Sequence, residues 1–389
     1  MLLSSRVKNI SPSLTLAITA KAKKMKEQGI DVIGFGSGEP DFDTPLHIKE
    51  AAIKSIQKGF TKYTAASGTD ELKKAICEKF HKENNLKYEP SQIVVSCGAK
   101  HTLYNIIQAV CDRDDEIIIP SPYWLSYPEM ARLAEAKPVF IKTGETDNFK
   151  ISPQSLEKVI TKKTKALILN SPSNPTGCVY SEEELNEIGK AAAKNNILII
   201  SDEIYEKIIF DGKKHVSIAA IDKKFFDRTV AVNGVSKSFA MTGWRIGYMA
   251  SVDKALLEAV KNLQSHSTSN PTSMSQVAAL EALNGKDDSV RKMVVEFEKR
   301  RDYIVKRINN IKGLSCIKPD GAFYVFCSID RQGLSSLELS EKLLEEARVA
   351  VVPGKVFGSD RHIRLSFATS MENIEKGMDR IEQWFGIRG

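Results

Sequence analysis

TVAVNGVSKSFAMTGWRIGYM, residues 229–249, is the stretch that decides the fold. Its first five residues form a short apolar run, which is typical of a strand buried on both faces of a sheet. A polar turn with a lysine between two serines follows, and Arg245 begins a second apolar run that predicts another strand. Ligands of α/β sheets bind beyond the carboxyl ends of the strands. The sequence therefore predicts that Lys237 lies at a ligand-binding edge.

Similar short runs, rich in Ile and Val, occur upstream and are separated by helical patterns. Ser181 and Glu184 form a capping box that predicts the start of one helix. Ile48, Ala52 and Ile56 predict one face of an earlier helix. Strands that alternate with helices indicate an α/β fold with a mostly parallel, covered sheet. The predicted strands are residues 92–97, 116–119, 138–142, 165–169, 197–201, 229–233 and 245–249.

The last hundred residues have a different, α+β pattern, which predicts a second and smaller domain. Its helical patterns and apolar runs cover residues 289–311, 322–327, 336–347, 350–352 and 362–367. A chain of 389 residues also exceeds the size at which one hydrophobic core usually keeps growing. We expect a large domain at residues 46–288, and a small domain formed by residues 1–45 and 289–389.

Bulk composition excludes several classes of protein. No apolar run approaches the roughly 20 residues of a membrane helix, and no secretory signal is evident, so we expect a cytoplasmic protein without membrane contact. The net charge of +7 is mild for this length, and no basic run with interleaved aromatics supports nucleic-acid binding. The six cysteines show neither paired nor metal-type spacing, which favours reduced thiols and no metal site.

Two polar segments at predicted strand ends have turn-forming sequences. SCGAK, residues 96–100, is a small-residue turn that opens a helix, and its free N–H groups suit a phosphate. The alternative is an ordinary strand-to-helix turn. NSPSNPTG, residues 170–177, is either a rigid turn or a device that presents the Asn174 amide at the strand end.

Two further segments contain charged residues. In SDEIY, residues 201–205, Asp202 follows the most apolar strand, where a buried carboxylate needs a cationic or protonated partner. The alternative is an ordinary helix N-cap. Lys237 is a candidate Schiff-base lysine, whose amine must be partly deprotonated to attack a carbonyl. The alternative is a surface lysine in a turn.

Together and in this order, these segments resemble the class I aminotransferases of fold type I, which use pyridoxal 5′-phosphate. The resemblance covers almost the whole chain and is to the branch that includes bacterial aspartate aminotransferases. The segments that carry it are GEPDFDTP (38–45), KYTAASG (62–68), SPYWLSYPEM (121–130), SPSNPTG (171–177), SDEIYE (201–206), SKSFAMTGWRIGY (236–248), GAFY (321–324), VPG (352–354) and HIRLSFATS (362–370).

The resemblance implies a role for each polar residue near the cofactor ring. Lys237 is expected to bond the cofactor aldehyde and then to move the proton between substrate and cofactor. Asp202 is expected to pair with the pyridine nitrogen. Tyr205 and Asn174 are expected to bond the ring 3-oxygen, and Trp124 to stack on the ring. By composition alone, Trp124 would be a core aromatic.

The resemblance also implies a phosphate site and a dimer. The backbone of Gly98 and Ala99, with the side chains of Ser236 and Arg245, is expected to hold the cofactor phosphate. Tyr63 is expected to reach the phosphate of the neighbouring subunit. The implied assembly is a homodimer with shared active sites.

Substrate recognition follows from the same resemblance, with amino acids and 2-oxo acids as the small-molecule partners. Arg364 is expected to bind the α-carboxylate in a bidentate manner. Lys100 is expected to bind the side-chain carboxylate of aspartate, although its bland interpretation is a solvated helix lysine. Relatives that transaminate prephenate carry a lysine where this chain has Ser11, which argues against prephenate. The implied substrate-binding residues are Gly38, Lys100, Trp124, Asn174, Arg364 and Thr15.

Rival functions remain for the same residues. An aminotransferase with aromatic, alanine or prephenate specificity would share the whole set, and a related lyase or acyltransferase would share Lys237 and Asp202. The NPTG turn, the WRIGY segment and Arg364 favour transamination over the last two. Some transcription regulators contain an aminotransferase-like domain, but the aminotransferase pattern leaves no room here for a DNA-binding module.

Overall fold

Two sheets and a two-stranded pair organise the chain. The structure is a computed structural model that describes residues 3–10, 14–330 and 333–387, without the side chains of residues 14–17, 19 and 387. The strands in these ranges are β1 (Ile33–Gly34), β2 (Ile93–Ser96), β3 (Glu116–Ser121), β4 (Lys137–Lys142), β5 (Thr164–Asn170), β6 (Leu198–Asp202), β7 (Thr229–Gly234), β8 (Gly247–Ala250), β9 (Leu314–Cys316), β10 (Tyr324–Ile329), β11 (Val349–Ala350), β12 (Val352–Pro353) and β13 (His362–Ser366). The helices are α1 (Ser5–Lys8), α2 (Leu14–Glu27), α3 (Leu46–Gln57), α4 (Asp70–Asn84), α5 (Ala99–Val110), α6 (Ser126–Leu133), α7 (Pro153–Glu157), α8 (Glu182–Lys194), α9 (Lys223–Phe226), α10 (Lys254–Ser265), α11 (Ser273–Asn284), α12 (Asp288–Asn310), α13 (Ser336–Glu346) and α14 (Met371–Ile387).

The larger sheet has the strand order β2-β8-β7-β6-β5-β3-β4. Its pairs from β4 to β7 are parallel, and β8 runs antiparallel to both of its neighbours. Alternate residues of β6 face opposite clusters: Ile200 packs with α5, α6 and α10, and Ile199 packs with α8. Helices therefore cover both faces, and the predicted α/β fold with a mostly parallel sheet is confirmed.

The ends of two predicted elements illustrate what the sequence pattern detects. Ser181 Oγ accepts from the Glu184 N–H, and the Glu184 side chain accepts from the Ser181 N–H, so the capping box is confirmed. The strand predicted to begin at Arg245 begins instead at Gly247. Arg245 has a φ of 57° in the left-handed region, which a strand does not accommodate.

The predicted face of α3 is wrong at one position. Ile48 and Ala52 are buried as expected, but Ile56 is 50% exposed and Ser55 is buried in its place. Ile53 is also exposed, so the helix has a second apolar face. None of the described residues covers this face.

The smaller sheet is antiparallel, with the order β12-β13-β10-β9. Side chains of α12 and α14 pack with β10 and β13 in one buried cluster. The strand β1 pairs in parallel with β11, so the segment near residue 35 joins this part of the fold. The single strand predicted at residues 350–352 is split, because Ala350 pairs with β1 and Val352 pairs with β13.

The helices in the described ranges include none that is long and apolar enough to cross a membrane. At one edge of the larger sheet, the carboxyl ends of β5, β6 and β7 meet residues of β10 and β13 from the smaller sheet. This edge contains the candidate site.

Candidate active site

A cavity of about 710 Å³ opens at this edge. Its walls come from both sheets, from α5 and from the segment around residues 34–39. It brings together most of the residues that the sequence singled out. Those that line it are Gly38, Ala99, Lys100, Trp124, Asn174, Asp202, Tyr205, Ser236, Lys237, Arg245 and Arg364.

The turn after β2 forms a cradle for an anion. Gly98 has a φ of 90° and caps the N-terminus of α5, and a Cβ there would lie 2.5 Å from Arg245 Nη2. Gly247 packs so closely that its Cβ would lie 2.1 Å from the Ala99 nitrogen. The Arg245 guanidinium donates to the backbone oxygens of Thr242 (2.8 Å) and Cys97 (3.3 Å). Free helix N–H groups, a guanidinium and the Ser236 hydroxyl are the donor set that a phosphate prefers.

Asp202 is a buried carboxylate at the end of β6, with 3% of its surface exposed. Tyr127 Oη donates to its Oδ2 over 2.6 Å, and the Ile204 N–H donates to its Oδ1 over 3.3 Å. Burial raises the pKa of Asp202 to about 6, although the Tyr127 bond opposes the shift. A carboxylate in this position gains most from a cationic partner placed in the cavity.

Lys237 extends into the cavity from the turn after β7. Its Nζ donates to the Gly38 carbonyl oxygen over 2.5 Å. Burial lowers the pKa of Lys237 to about 8, with Arg364 and Arg245 acting in the same direction and Glu39 opposing them. A usable fraction of the amine is therefore neutral near pH 7, which a nucleophile or a general base requires.

Arg364, on β13, is 4% exposed and lies between two aromatic rings, with Cζ at 4.3 Å from the Tyr324 centroid and 5.0 Å from the Phe357 centroid. Its Nη1 donates to Asn174 Oδ1 and its Nη2 to the Gly36 oxygen, each over 3.0 Å. Its Nε has no partner among the described residues. Burial lowers its pKa from the usual value. A buried guanidinium without a carboxylate is arranged for an incoming anion.

Lys100 lies one residue into α5, beyond the phosphate-type turn. Its Nζ is 4.9 Å from the centroid of the Trp124 ring, on the cavity wall. Burial and then Arg245 lower the pKa of Lys100. The position places a second cation in the same cavity as Arg364.

Sequence reasoning missed two tyrosines of the site. Tyr127 bonds Asp202, and the Tyr324 hydroxyl lies 2.9 Å from the Tyr205 hydroxyl. Both tyrosines stand in quoted motifs, SPYWLSYPEM and GAFY, but a motif does not show which side chains meet across about 75 to 119 residues of chain. Burial raises the pKa of Tyr205 well above its usual value, so it is a hydrogen-bond donor at neutral pH.

A buried ionic cluster anchors the segment behind Asp202. Glu203 Oε1 accepts from Ser201 and Ser217, over 2.8 and 2.6 Å, and Glu206 pairs with Lys79. His215 Nε2 lies 3.1 Å from Glu203 Oε2. These carboxylates could form a metal group with His215, but Lys79 already balances one of them. Asp202 and Tyr205 line the cavity, whereas Glu203 and Glu206 do not.

Gly98 and Tyr63 are predicted site residues that do not line this cavity, although Ala99, next to Gly98, does. Tyr63 is 88% exposed and lies outside the lining of the cavity in the single chain. The side chain of Thr15 and the whole of Ser11 lie outside the described residues.

Comparison with known proteins agrees with this geometry. A family model described as aminotransferase class I and II matches residues 30–381. The chain is 51% identical to the aspartate aminotransferase of Bacillus subtilis, with 99% of each sequence covered. It is 49% identical to the aspartate/prephenate aminotransferase of Nitrosomonas europaea, with 98% of this chain and 99% of the relative covered.

Solved structures give the same result. The aspartate aminotransferase from Rhizobium meliloti superposes with a TM-score of 0.96 at 42% identity, covering 99% of both chains. The aspartate aminotransferase from Thermus thermophilus with maleate gives 0.95 at 41% identity, covering 98% of this chain and 99% of that one. Fold and site therefore define a fold type I transferase. The chain belongs to the aminotransferase class I and II family.

Proposed function

We propose that the chain is an aspartate aminotransferase that moves the amino group of L-aspartate or L-glutamate to 2-oxoglutarate or oxaloacetate. The observation that carries the proposal is the buried Arg364 with its unpaired Nε, set in one cavity with a second cation, Lys100. A substrate with two carboxylates matches two cations. The names of the relatives support the same substrate.

Pyridoxal 5′-phosphate fits the residues present. The turn at Gly98 offers backbone donors and Arg245 to a phosphate, and Asp202 offers a buried carboxylate to a protonated ring nitrogen. Asn174 and Tyr205 supply donors to the ring 3-oxygen, and Trp124 supplies a flat face. When bound, the cofactor supplies an electron-accepting ring that stabilises the charge left on the substrate α-carbon.

Lys237 then acts as the proton carrier. Its pKa of about 8 lets the amine accept the α-proton and return it without a large energetic penalty in either direction. The Gly38 carbonyl, which accepts from Nζ over 2.5 Å, holds the amine at the cavity wall.

Arg364 orients the substrate for this transfer. The N–H groups that do not reach Asn174 and Gly36 remain for a bidentate bond to the α-carboxylate. Since two of its donors are already fixed, the guanidinium loses little freedom on binding. The Tyr324 ring, with its centroid 4.3 Å from Cζ, packs against the guanidinium.

Substitution of Lys100 tests whether the preferred substrate has a second carboxylate. Burying the distal carboxylate without a partner costs several kcal/mol, so Lys100→Ala should reduce kcat/KM for aspartate by about 30- to 5,000-fold. The loss for alanine or phenylalanine should be small, because these substrates have no distal carboxylate. Lys254→Ala, also at the start of a helix, is the matched control and should leave all three values unchanged.

The decisive measurement is the absorbance spectrum of the cofactor-loaded protein as L-aspartate, L-alanine and L-phenylalanine are added in turn. Aspartate should convert the spectrum at the lowest concentration. Equal losses for all three substrates in Lys100→Ala would instead assign Lys100 to cofactor positioning. A wild-type preference for alanine or an aromatic amino acid would replace the substrate and keep the aminotransferase activity.

We also propose a homodimer in which Tyr63 reaches the partner's phosphate cradle. An apolar surface around α3 supports this, since large side chains there are exposed in the single chain. They are Leu46 (66%), Ile53 (52%), Ile56 (50%), Phe60 (38%) and Tyr63 (88%). Several large apolar side chains exposed within one short segment are typical of a subunit interface.

We also propose limits for the two domains and a cellular location. We place the large domain at residues 46–288, and the small one at 1–45 with 289–389, because the two sheets fall on either side of these limits. Limited proteolysis near residue 288 tests the division. Cytoplasmic location rests on the composition of the chain, and cell fractionation tests it.

A further inference from the structure

Two cysteines that belong to no recognisable sequence motif lie opposite each other on adjacent strands of the smaller sheet. In the antiparallel pair of β9 and β10, Cys316 is the register partner of Cys327. Both thiols are free. The sequence spacing does not indicate a pair, because ten residues separate the two positions and only strand pairing brings them together.

The pair occupies a non-hydrogen-bonded position of the ladder. One register step beyond β9, the Asp330 N–H donates to the Gly313 oxygen over 2.9 Å, which marks a hydrogen-bonded pair. Pairs alternate along an antiparallel ladder, so the third pair from there, Cys316 with Cys327, is non-hydrogen-bonded.

The backbone of Cys316 confirms the alternation. Its N–H donates to Asn309 Oδ1 over 2.8 Å, and its carbonyl accepts from Asn309 Nδ2 over 3.2 Å. Both groups therefore point away from β10 and towards α12. Non-hydrogen-bonded pairs have Cα atoms about 4.5 Å apart and the closer side chains. That separation lies within the range of about 4.4–6.8 Å that a disulfide bridges.

The side chains also share one face and one environment. Cys327 is fully buried in the cluster formed by α12, α14 and the smaller sheet, and Cys316 packs against the same cluster. Burial raises the pKa of the Cys327 thiol well above its usual value, and Cys316 acts in the same direction. Cys316 is only partly buried and so gives an oxidant access, whereas Cys327 is closed to solvent.

We propose that Cys316 and Cys327 form an oxidisable pair, which a small-molecule disulfide converts to a cross-strand disulfide that staples β9 to β10. The thiolate of Cys316 attacks the oxidant and releases one small thiol. The thiolate of Cys327 then attacks the mixed disulfide and releases the second. Two protein thiols lose two electrons and two protons, and the oxidant takes them up as two thiols.

The staple lies away from the chemistry. Neither cysteine lines the cavity, and the neighbouring Phe326 belongs to a cluster on the other face of β10. Oxidation should therefore leave turnover unchanged and stabilise the sheet that carries Arg364. Burial raises the pKa of Cys316 to about 12, so the exchange is slow and needs hours of incubation.

The experiment treats the full-length, cofactor-loaded protein with oxidised glutathione, blocks the remaining thiols and digests with chymotrypsin. Cleavage at Phe323 or Tyr324 separates the two cysteines, so a disulfide appears as two peptides joined until a reductant is added. We expect this joined pair, together with a rise of a few degrees in the midpoint of thermal unfolding.

Cys316→Ser should lose both the joined peptides and the thermal shift, and Cys77→Ser, which alters a cysteine on α4, should keep both. The proposal is overturned if both cysteines are still blocked as free thiols after oxidation, if the linkage joins two chains, or if it forms only in denatured protein. Peptide mapping does not depend on activity, so it stands apart from the proposed function.

Discussion

Two ionisable residues in the cavity, Asp202 and Lys237, have pKa values shifted from their ordinary ones. Lys237 is buried among Arg364 and Arg245, which lowers its pKa to about 8 from an ordinary value of 10.5. In the cofactor-free protein this shift costs stability below pH 8, where the amine is charged in both folded and unfolded states. The cost is relieved as pH rises from about 8 to 10.5, because there the unfolded state binds more protons.

The first prediction follows from the same shift. Covalent capture of pyridoxal phosphate by the cofactor-free protein should accelerate about tenfold per pH unit below pH 8 and level off above it, because only the neutral amine attacks. Stopped-flow absorbance measures the rate. Lys237→Ala should give no covalent capture yet retain some binding through the phosphate cradle, and Lys254→Ala should follow the wild type. A rate that keeps rising to pH 10 would contradict the shifted pKa.

Residue identities were predicted from motifs, whereas residue contacts were not. Lys237, Asp202 and Arg364 stand in sequence patterns typical of their chemistry, and the structure brings them into one cavity. The hydrogen bond of Tyr127 to Asp202 spans 75 positions and leaves no local signal. Side-chain pairing between separate elements depends on register and packing, which a single sequence does not encode visibly.

Tyr127 gives the second prediction. Its hydroxyl bond stabilises the charged form of Asp202 and opposes the effect of burial. Tyr127→Phe should move the acidic limb of the kcat/KM profile towards higher pH by about one unit, since a bond to a charged group contributes on the order of 1.5 kcal/mol. Tyr123→Phe, four residues earlier and before α6 begins, is the control and should leave the profile unchanged. An unshifted limb in Tyr127→Phe would show that the bond does not tune Asp202.

The close contact between Gly247 of β8 and the start of α5 sets the shape of the phosphate cradle. The apolar runs predicted every strand of the larger sheet, because strands buried on both faces are almost continuously hydrophobic, but they missed the short strands β1 and β9. The prediction failed at Arg245, which has a left-handed conformation and lies two residues before β8 begins. Helical periodicity failed at Ile56, because α3 has two apolar faces and periodicity alone does not show which of them is buried.

The third prediction changes this contact. Gly247→Ala would place a Cβ 2.1 Å from the Ala99 nitrogen, so the start of α5 must shift. We expect a loss of about 1–3 kcal/mol in the free energy of unfolding and weaker cofactor binding, measured by urea denaturation and fluorescence titration. Gly144→Ala is the matched control, because a Cβ there meets nothing within 4 Å. Unchanged cofactor affinity in Gly247→Ala would mean that the cradle adapts.

The fourth prediction concerns active sites that two chains of the proposed dimer build together. Lys237→Ala and Tyr63→Ala chains should each be inactive or weak alone, because each removes one part of every site. In mixed dimers one site combines an intact Lys237 with the partner's intact Tyr63. After subunit exchange of an equal mixture we expect about a quarter of wild-type activity, since half of the dimers are mixed and each has one complete site.

The control is a mixture of Lys237→Ala with Arg364→Ala. Both residues line the cavity of one chain, so the mixed dimers contain one complete site only if Arg364 is contributed by the partner. We expect no recovery from this mixture. No recovery from the Lys237→Ala and Tyr63→Ala mixture, or a fully active monomer in sedimentation, would refute the proposed sharing of sites.

The pairing of β1 with β11 has a consequence for the order of synthesis. Residues 93–250 contain every strand of the larger sheet, so that sheet can be completed while the ribosome is still producing the rest. Ile33 leaves the ribosome early, yet its partner Val349 appears more than 300 residues later. Until then the strand β1 and the adjoining Gly36 and Gly38, which contact Arg364 and Lys237, have no final position. The substrate-binding half of the cavity is therefore assembled last, by the joining of the earliest and latest parts of the chain.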